Sequence, residues 1–287
     1  LALDHRGSFK KYVNPNEPDK VTVADLIKIK AMIIESVQDR FSGVLVDAEW
    51  GLPAYASLRR GEARSMDKPY LLPMEKSGYT EKKGDRITDL GYSAKKIKRL
   101  GASGAKLLLY FNPASKIYSQ QIKTTKKALA DSHKNNLPFF LEIVTYGNEE
   151  LGKSRSEWVL RSLQMLLDEK VVPDVWKLEY PASLPAAHPF GSVAPADSAG
   201  KPGSLESCKK ITQLVGPTPW ILLTRGDSFE HFEKQLTDAV AGGAVGFLAG
   251  RALWQEIANY KTEQEKKEFL NTVVADRFRK ISKICLS

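Results

Sequence analysis

The sequence is poor in the residues that build disulfide frameworks and metal sites. Its 287 residues include two cysteines and four histidines. Cys208 and Cys285 lie far apart and form no CxxC or Cys/His pattern, so neither a disulfide framework nor a zinc site is indicated. The histidines, which lack ligand spacing, are His5, His133, His188 and His231. We therefore expect no metal cofactor and a reducing, cytoplasmic setting.

Signals for membranes and secretion are also missing. No apolar run is long enough to span a bilayer, and no signal peptide is visible. The chain starts at Leu1, inside an apparent strand and without an initiator methionine, so we expect that residues upstream are missing. The sequence indicates no membrane partner and leaves the oligomeric state open, with a homo-oligomer as one option.

The chain has an excess of positive charge, with a formal net charge of +9. Such a charge permits either a nucleic-acid partner or an anionic small molecule. The lysines cluster at residues 95–99, 123–127 and 266–267, within helical patterns, which is typical of solvated helix faces. Because no nucleic-acid-binding signature accompanies them, we expect a small anionic ligand rather than nucleic acid.

Strand-like and helix-like patterns alternate along almost the whole chain. Eight mostly apolar runs of strand length occur at residues 1–7, 43–47, 69–74, 104–110, 138–144, 172–181, 219–224 and 244–250. The helices predicted by 3.6-residue periodicity are 23–37, with Thr22 as its cap, 93–100, 119–133, 156–169, 204–214, 229–240, 252–260 and 263–283.

Eight such units over about 250 residues predict an α/β fold, the (β/α)8 TIM barrel, as a single domain over residues 1–287. A doubly wound open sheet is the alternative, but the G-x-G-x-x-G fingerprint that would favour it is missing. Residues 181–203 are rich in Pro, Ala, Gly and Ser. We expect a long loop over a site there rather than a domain boundary.

The sixth run places a lysine inside an otherwise buried strand. Side chains alternate along a strand, so Lys177 and Glu179 share one face, while Trp176 and Leu178 share the other. In a barrel, Trp176 and Leu178 would pack under helices and Lys177 would project inward. Loss of hydration favours a neutral amine, which is a nucleophile towards carbonyls. The alternative is a lysine held in an ion pair by Glu179 or another neighbour, without chemistry.

The two preceding strands carry charged residues that fit the same orientation. Lys106 lies in the fourth run and Glu142 in the fifth. Neighbouring strands are about 4.8 Å apart, so Lys106, Glu142 and Lys177 would converge if all three point inward. A second cation would further favour a neutral Lys177, and Glu142 offers a general acid/base. A buried ion-pair network without catalysis is the alternative.

Two arginines follow the last two strands and could hold an anion. Arg225 and Gly226 follow the seventh run, and Gly250 and Arg251 the eighth, where many barrels bind phosphate. Arg251 opens the next helix, so its guanidinium and the helix dipole would act together. The alternative is that Arg251 pairs with a core carboxylate.

Seven longer motifs are spread over nearly the whole chain, at residues 3–7, 46–51, 75–78, 104–110, 139–143, 174–179 and 246–251. In them the sequence resembles the class I tagatose-1,6-bisphosphate aldolase family, whose relatives include sulfofructose-phosphate aldolases. The resemblance implies a barrel that cleaves a ketose phosphate into dihydroxyacetone phosphate and an aldehyde without a cofactor. It implies Lys177 as the Schiff-base lysine, with Glu142 and Lys106 beside it.

The resemblance also implies ligand contacts with a phosphorylated or sulfonated sugar. Asp4, Arg6 and Glu75 would surround the substrate's hydroxyls. The ends of the last two strands would surround a terminal phosphate through Arg225, Gly226, Gly250 and Arg251.

Two positions depart from the tagatose branch of that family. His5 stands where glutamine is expected, and Arg225 where a small residue is usual. Both are closer to a branch associated with inositol catabolism, whose substrate is a deoxy-keto-acid phosphate. An added cation would also suit a sulfosugar. From another class, a non-catalytic regulator that binds a sugar phosphate or nucleic acid is the alternative, against which the intact Lys177, Glu142 and Lys106 argue.

Overall fold

The computed structural model describes residues 1–60, 67–148, 151, 153–181 and 204–286. The long loop expected at 181–203 therefore lies outside the described residues, apart from its first residue.

The strands form one parallel eight-stranded sheet and one hairpin. They are β1 Ala2–Leu3, β2 Val44–Val46, β3 Tyr70–Pro73, β4 Thr80–Lys82, β5 Asp85–Ile87, β6 Gly104–Phe111, β7 Phe139–Thr145, β8 Val175–Leu178, β9 Trp220–Leu223 and β10 Phe247–Leu248. The large sheet has the order β1-β2-β3-β6-β7-β8-β9-β10, and β4 pairs with β5 alone. The N–H of Ala2 donates to the carbonyl of Ala249 at 2.7 Å, which joins the two ends of the sheet. The predicted (β/α)8 barrel is confirmed.

Helices cover the outside of this sheet. They are α1 Phe9–Val13, α2 Val23–Ser36, α3 Gly51–Arg60, α4 Ala94–Arg99, α5 Tyr118–Lys134, α6 Arg155–Asp168, α7 Ser204–Val215, α8 Phe229–Ala241, α9 Arg251–Trp254, α10 Glu263–Phe269 and α11 Ala275–Leu286. The predicted cap of α2 is present: Thr22 Oγ1 accepts from the N–H of Asp25, and Asp25 Oδ2 accepts from the N–H of Thr22.

The largest differences from the sequence-based expectation concern the C-terminal helices and the hairpin. The helix expected at 252–260 is one α-helical turn followed by a 3₁₀ segment, Gln255–Asn259. The helix expected at 263–283 is interrupted by a π-helical segment, Leu270–Val274. The hairpin was not predicted from the sequence, because β4 is exposed and polar and so lacks the apolar pattern of a buried strand. Its turn residues Lys83 and Gly84 have φ of 53° and 81°, as a two-residue hairpin turn requires.

The buried apolar residues form two clusters. Trp176 and Leu178 are 0% and 1% exposed and belong to the main core between strands and helices, as the alternation predicted. A small second cluster is formed by Ala2, Leu45 and Leu248. Ala2 and Leu248 also line a cavity at the carboxyl ends of the strands, so this cluster forms part of the cavity floor.

Among the described residues, no helix combines the length and the apolar character that crossing a bilayer requires.

One buried and one exposed leucine form a matched pair for a stability test. Leu163, on α6, is fully buried, whereas Leu286, at the end of α11, is 86% exposed. We expect Leu163→Ala to lower the free energy of unfolding by about 2–5 kcal/mol, because it leaves a cavity in the core. We expect Leu286→Ala to change it by less than about 0.5 kcal/mol. Urea unfolding followed by circular dichroism measures both, and equal losses would contradict the assignment of the core.

Candidate active site

A cavity of about 480 Å³ opens at the carboxyl ends of the barrel strands. It is bounded by the segments that follow β1, β3, β9 and β10 and by inward side chains of β6, β7 and β8. Nine of the ten site residues predicted from the sequence line it: Asp4, Arg6, Glu75, Lys106, Glu142, Lys177, Arg225, Gly250 and Arg251. The structure thus brings together residues that are far apart in the chain.

Strand register explains why the central charges meet. Glu142 on β7 lies directly opposite Lys177 on β8, so the two side chains leave the sheet side by side. Lys106 on β6 pairs with Phe140, two residues before Glu142 on the same face of β7. Lys106 therefore starts lower in the barrel, and its long side chain reaches up to the level of Glu142.

Glu142 forms a bridge between the two lysines. Its Oε1 lies 2.7 Å from Lys177 Nζ, and its Oε2 lies 2.9 Å from Lys106 Nζ. Burial by itself would raise the pKa of Glu142, but the charges of Lys106 and Lys177 outweigh burial and hold it below its ordinary value. Glu142 is therefore a carboxylate, able to accept a proton from an atom within its reach.

Lys106 is surrounded by three carboxylates, Asp4, Glu75 and Glu142, which we call the carboxylate cluster. Its Nζ lies 2.8 Å from Asp4 Oδ2 and 2.7 Å from Glu75 Oε1. Burial would lower the pKa of Lys106, but the carboxylate cluster outweighs it and raises this pKa well above the ordinary value. Lys106 is thus a permanent cation, and of the two lysines it is the one unsuited to act as a neutral nucleophile.

The carboxylates are themselves held in place. Glu75 Oε2 accepts a hydrogen bond from the backbone N–H of Leu108 at 3.1 Å. The guanidinium of Arg6, which is 8% exposed, donates to the backbone carbonyl of Glu75 at 2.9 Å. Burial opposes ionisation of Asp4, yet the charge of Lys106 keeps its pKa well below the ordinary range. Asp4 and Glu75 are therefore fixed hydrogen-bond acceptors at the cavity wall.

Glu179 does not share the environment of Lys177, contrary to the strand alternation drawn from the sequence. β8 ends at Leu178, so the alternation does not extend to Glu179. Its Oε2 accepts from the N–H and Oγ1 of Thr145, at 3.0 and 2.7 Å, and its Oε1 lies 2.9 Å from Arg225 Nε. The ion-pair partner of Lys177 is Glu142 instead.

Two arginines lie at the end of the cavity formed by β9 and β10. Arg251 Nη1 donates to the hydroxyl of Tyr12 at 3.1 Å, and among the described residues no carboxylate forms an ion pair with it. α9, which Arg251 opens, is a single turn, so the expected help from a helix dipole is small. The side chain of Arg225 is 30% exposed and lines the same end.

Gly226 contributes in a different way from that expected. It does not line the cavity, and its φ is +86°, a conformation that favours glycine. A Cβ at this position would lie 2.9 Å from Cζ of Arg251. Gly226 therefore makes room for the Arg251 guanidinium.

Sequence reasoning missed one buried ion pair next to the site. Lys30 and Asp47 are both 0% exposed, with Lys30 Nζ 2.5 Å from Asp47 Oδ2. The signal was present, since Lys30 follows Leu26 by four residues and precedes Ile33 by three, within the apolar stripe of α2. A lysine in such a stripe needs a buried partner.

Comparisons with known proteins show the family of the chain. Residues 1–256 match the profile of the DeoC/LacD family of aldolases. A tagatose 1,6-diphosphate aldolase of Staphylococcus aureus strain RF122 is 29% identical over 291 residues, covering 95% of this chain and 86% of the relative.

Solved structures with the same fold include two aldolases. An archaeal fructose-1,6-bisphosphate aldolase, described with its catalytic lysine covalently bound to a carbinolamine intermediate, has a TM-score of 0.60 and 16% identity, covering 98% of this chain and 92% of the other. A fructose-bisphosphate aldolase from Slackia heliotrinireducens has a TM-score of 0.63 and 15% identity, covering 99% and 84%.

The barrel, its charged cavity and these relatives define an aldolase, a lyase that breaks and forms carbon–carbon bonds. The chain belongs to the DeoC/LacD aldolase family.

The ion contacts of Lys106 lead to a prediction about pH. Lys106→Met leaves three carboxylates together without their central cation. We expect a loss of about 3–5 kcal/mol in the free energy of unfolding at pH 7. In the wild type the pKa values of Asp4 and Glu142 are lowered. Their contribution to the free energy of unfolding is therefore constant down to about pH 5 and is lost only at lower pH.

In the variant the same carboxyl groups repel one another, so their pKa values rise above the unfolded values and stability is gained as the pH falls. The difference in the free energy of unfolding between wild type and variant should therefore be smaller at pH 5 than at pH 7. Urea unfolding at both pH values measures it, with Lys123→Met on the exposed face of α5 as control. A difference independent of pH would contradict the described charge states.

Proposed function

We propose that Lys177 forms a Schiff base with a phosphorylated ketose and that the enzyme cleaves this ketose by a class I mechanism. The observation that carries the proposal is the contact of 2.7 Å between Lys177 Nζ and the Glu142 carboxylate inside the cavity. An amine needs to lose a proton before it attacks a carbonyl, and Glu142 is a base within reach of that proton.

The first half of the reaction joins enzyme and substrate. Glu142 takes a proton from the Lys177 ammonium, the neutral Nζ attacks the ketone carbon, and Glu142 returns this proton to the ketone oxygen, which becomes the carbinolamine hydroxyl. Glu142 then takes a second proton from the nitrogen and delivers it to that hydroxyl, so that water leaves and an iminium remains. Lys106, a permanent cation 2.9 Å from Glu142, favours the ionised carboxylate and so resets the base after each transfer.

The second half breaks the carbon–carbon bond. Ionised Glu142 takes the proton of the hydroxyl on the carbon β to the iminium carbon. The bond between the α and β carbons breaks, its electron pair moves to the iminium, and an aldehyde leaves. The resulting enamine is protonated at the α carbon and hydrolysed, which releases dihydroxyacetone phosphate. Asp4 and Glu75 offer acceptors for the substrate's remaining hydroxyls, and Arg6 supplies a donor at the same wall.

The substrate we propose first is tagatose 1,6-bisphosphate, which is supported by the name of the curated relatives. Arg251 would bind a terminal phosphate, with its guanidinium seated over Gly226. A second candidate is a ketose phosphate or keto-acid phosphate with a carboxylate or sulfonate, which Arg225 at the same end of the cavity supports.

We also propose that the enzyme is a single domain and that it is located in the cytoplasm. The two free cysteines support the cytoplasmic location.

Trapping of the imine tests the role of Lys177. The wild type, Lys177→Met and Lys123→Met are each incubated with dihydroxyacetone phosphate and reduced with borohydride, and their intact masses are measured. We expect one covalent adduct on the wild type and on Lys123→Met, and none on Lys177→Met. An adduct on Lys177→Met would place the imine elsewhere. A wild type without an adduct, with this ketone or with a panel of ketoses, would overturn the class I mechanism.

Kinetics tests the phosphate end. We expect Arg251→Met to raise KM for tagatose 1,6-bisphosphate about 10- to 100-fold, because a charge-assisted hydrogen bond contributes about 1.5–3 kcal/mol. The matched control is Arg279→Met, which removes an arginine that is 58% exposed on α11. An unchanged KM in Arg251→Met, with the wild type active, would show that the phosphate binds at another end of the cavity.

A further inference from the structure

We infer that Lys30, which does not line the cavity, is a positioning residue for the reaction. It holds Asp4 against Lys106 through the two backbone carbonyls that flank Asp4. The inference rests on the proposed function where it concerns turnover, but its geometric part does not depend on the substrate.

Lys30 uses all three of its donors inside the protein. Its Nζ donates to the carbonyl of Leu3 at 2.7 Å, to the carbonyl of His5 at 2.8 Å and to Asp47 Oδ2 at 2.5 Å. The side chain is 0% exposed. An ammonium carries three N–H donors, so none remains for another partner. The two carbonyls belong to the residues on either side of Asp4, which is thereby held from both sides.

Asp4 needs such support because the sheet does not supply it. The register of β1 with β2 ends at the pair Leu3 and Val46, so Asp4 lies beyond the last ladder position. Its carboxylate nevertheless lies 2.8 Å from Lys106 Nζ and lines the cavity. The hydrogen bonds from Lys30 therefore hold the backbone in place over Asp4 and His5, the two residues that follow β1.

Asp47 anchors Lys30 in turn. Its Oδ1 accepts from the N–H groups of Glu49 and Trp50, at 3.0 and 2.7 Å, and its Oδ2 accepts from the N–H of Gly51 at 3.0 Å. A Cβ on Gly51 would lie 2.8 Å from that oxygen. Asp47 is thus fixed by the start of α3, and Lys30 connects α2, the end of β2 and the Asp4 segment.

Lys68 provides a matched control elsewhere in the fold. Its Nζ also donates to two backbone carbonyls, those of Gln38 and Phe41, and lies 4.9 Å from an aromatic ring centroid, that of Phe41. Lys30 lies 4.8 Å from the ring of Phe9. Lys68 precedes β3 and does not line the cavity, so its bonds stabilise a turn without touching the carboxylate cluster.

Crystallography tests the geometric part. In Lys30→Met we expect the carboxylate of Asp4 to move from 2.8 Å to beyond 4 Å from Lys106 Nζ, whereas Lys68→Met should leave it in place. Lys30→Met strands the buried charge of Asp47, so Lys30→Met/Asp47→Asn is made in parallel as a variant without that charge. Asp4 still in contact with Lys106 in the Lys30 variants would overturn the inference.

A double-mutant cycle tests the consequence for turnover of tagatose 1,6-bisphosphate. We expect Lys30→Met to lower kcat/KM about 10- to 100-fold in the wild type, but less than threefold in Asp4→Asn, since the residue acts through Asp4. Stability should fall equally in both backgrounds. Equal kinetic losses in both backgrounds would show a general structural role and overturn the inference. A wild type that does not turn over this sugar would count against the proposed substrate, and the position of Asp4 would still be decided by the crystal structures.

Discussion

The site depends on Glu142 lying between two ammonium groups. Two lysines facing each other inside a barrel would repel, and one carboxylate alone would be costly to bury. Glu142 forms an ion pair with each lysine, with one oxygen 2.7 Å from Lys177 Nζ and the other 2.9 Å from Lys106 Nζ. The two lysines then have different surroundings, because Lys106 has two further carboxylates. This asymmetry supports the proposal that Lys177, rather than Lys106, forms the Schiff base.

The scaffold holds two of the three carboxylates around Lys106 in place. Arg6 and the N–H of Leu108 hold Glu75, and Lys30 holds the backbone around Asp4. Breaking a buried ion pair by removing one partner typically costs 3–5 kcal/mol, so each partner matters for stability as well as for chemistry. The two arginines lie at the other end of the cavity, after β9 and β10, so the proposed proton transfer and the proposed anion binding involve separate groups.

Much of this arrangement follows from sequence patterns. The alternation of strand and helix runs predicted the barrel, and the period of two along the strands predicted that Lys106, Glu142 and Lys177 meet. These predictions succeed because a charged side chain on a buried strand is stable only when an oppositely charged group lies next to it. The bridging position of Glu142 could not be predicted, since it depends on a two-residue offset between Lys106 and Glu142 along β7.

Other features depend on contacts that no local pattern reveals. Glu179 leaves the expected face because β8 ends one residue earlier, and strand ends are set by tertiary pairing. Gly226 was expected to touch substrate, yet its missing side chain makes room for Arg251, which is 25 residues further along the chain. Lys30 was hidden by its helical setting, although its place in an apolar stripe was a usable signal.

The most direct measurement is a crystal structure of the enzyme after reduction with borohydride in the presence of dihydroxyacetone phosphate. We expect continuous electron density from Lys177 Nζ to the former ketone carbon, Glu142 within hydrogen-bonding distance of the adduct, and the phosphate at Arg251. Density attached to another lysine, or a phosphate bound away from β9 and β10, would contradict the assignment of Lys177 as the Schiff-base residue or the orientation of the substrate, respectively.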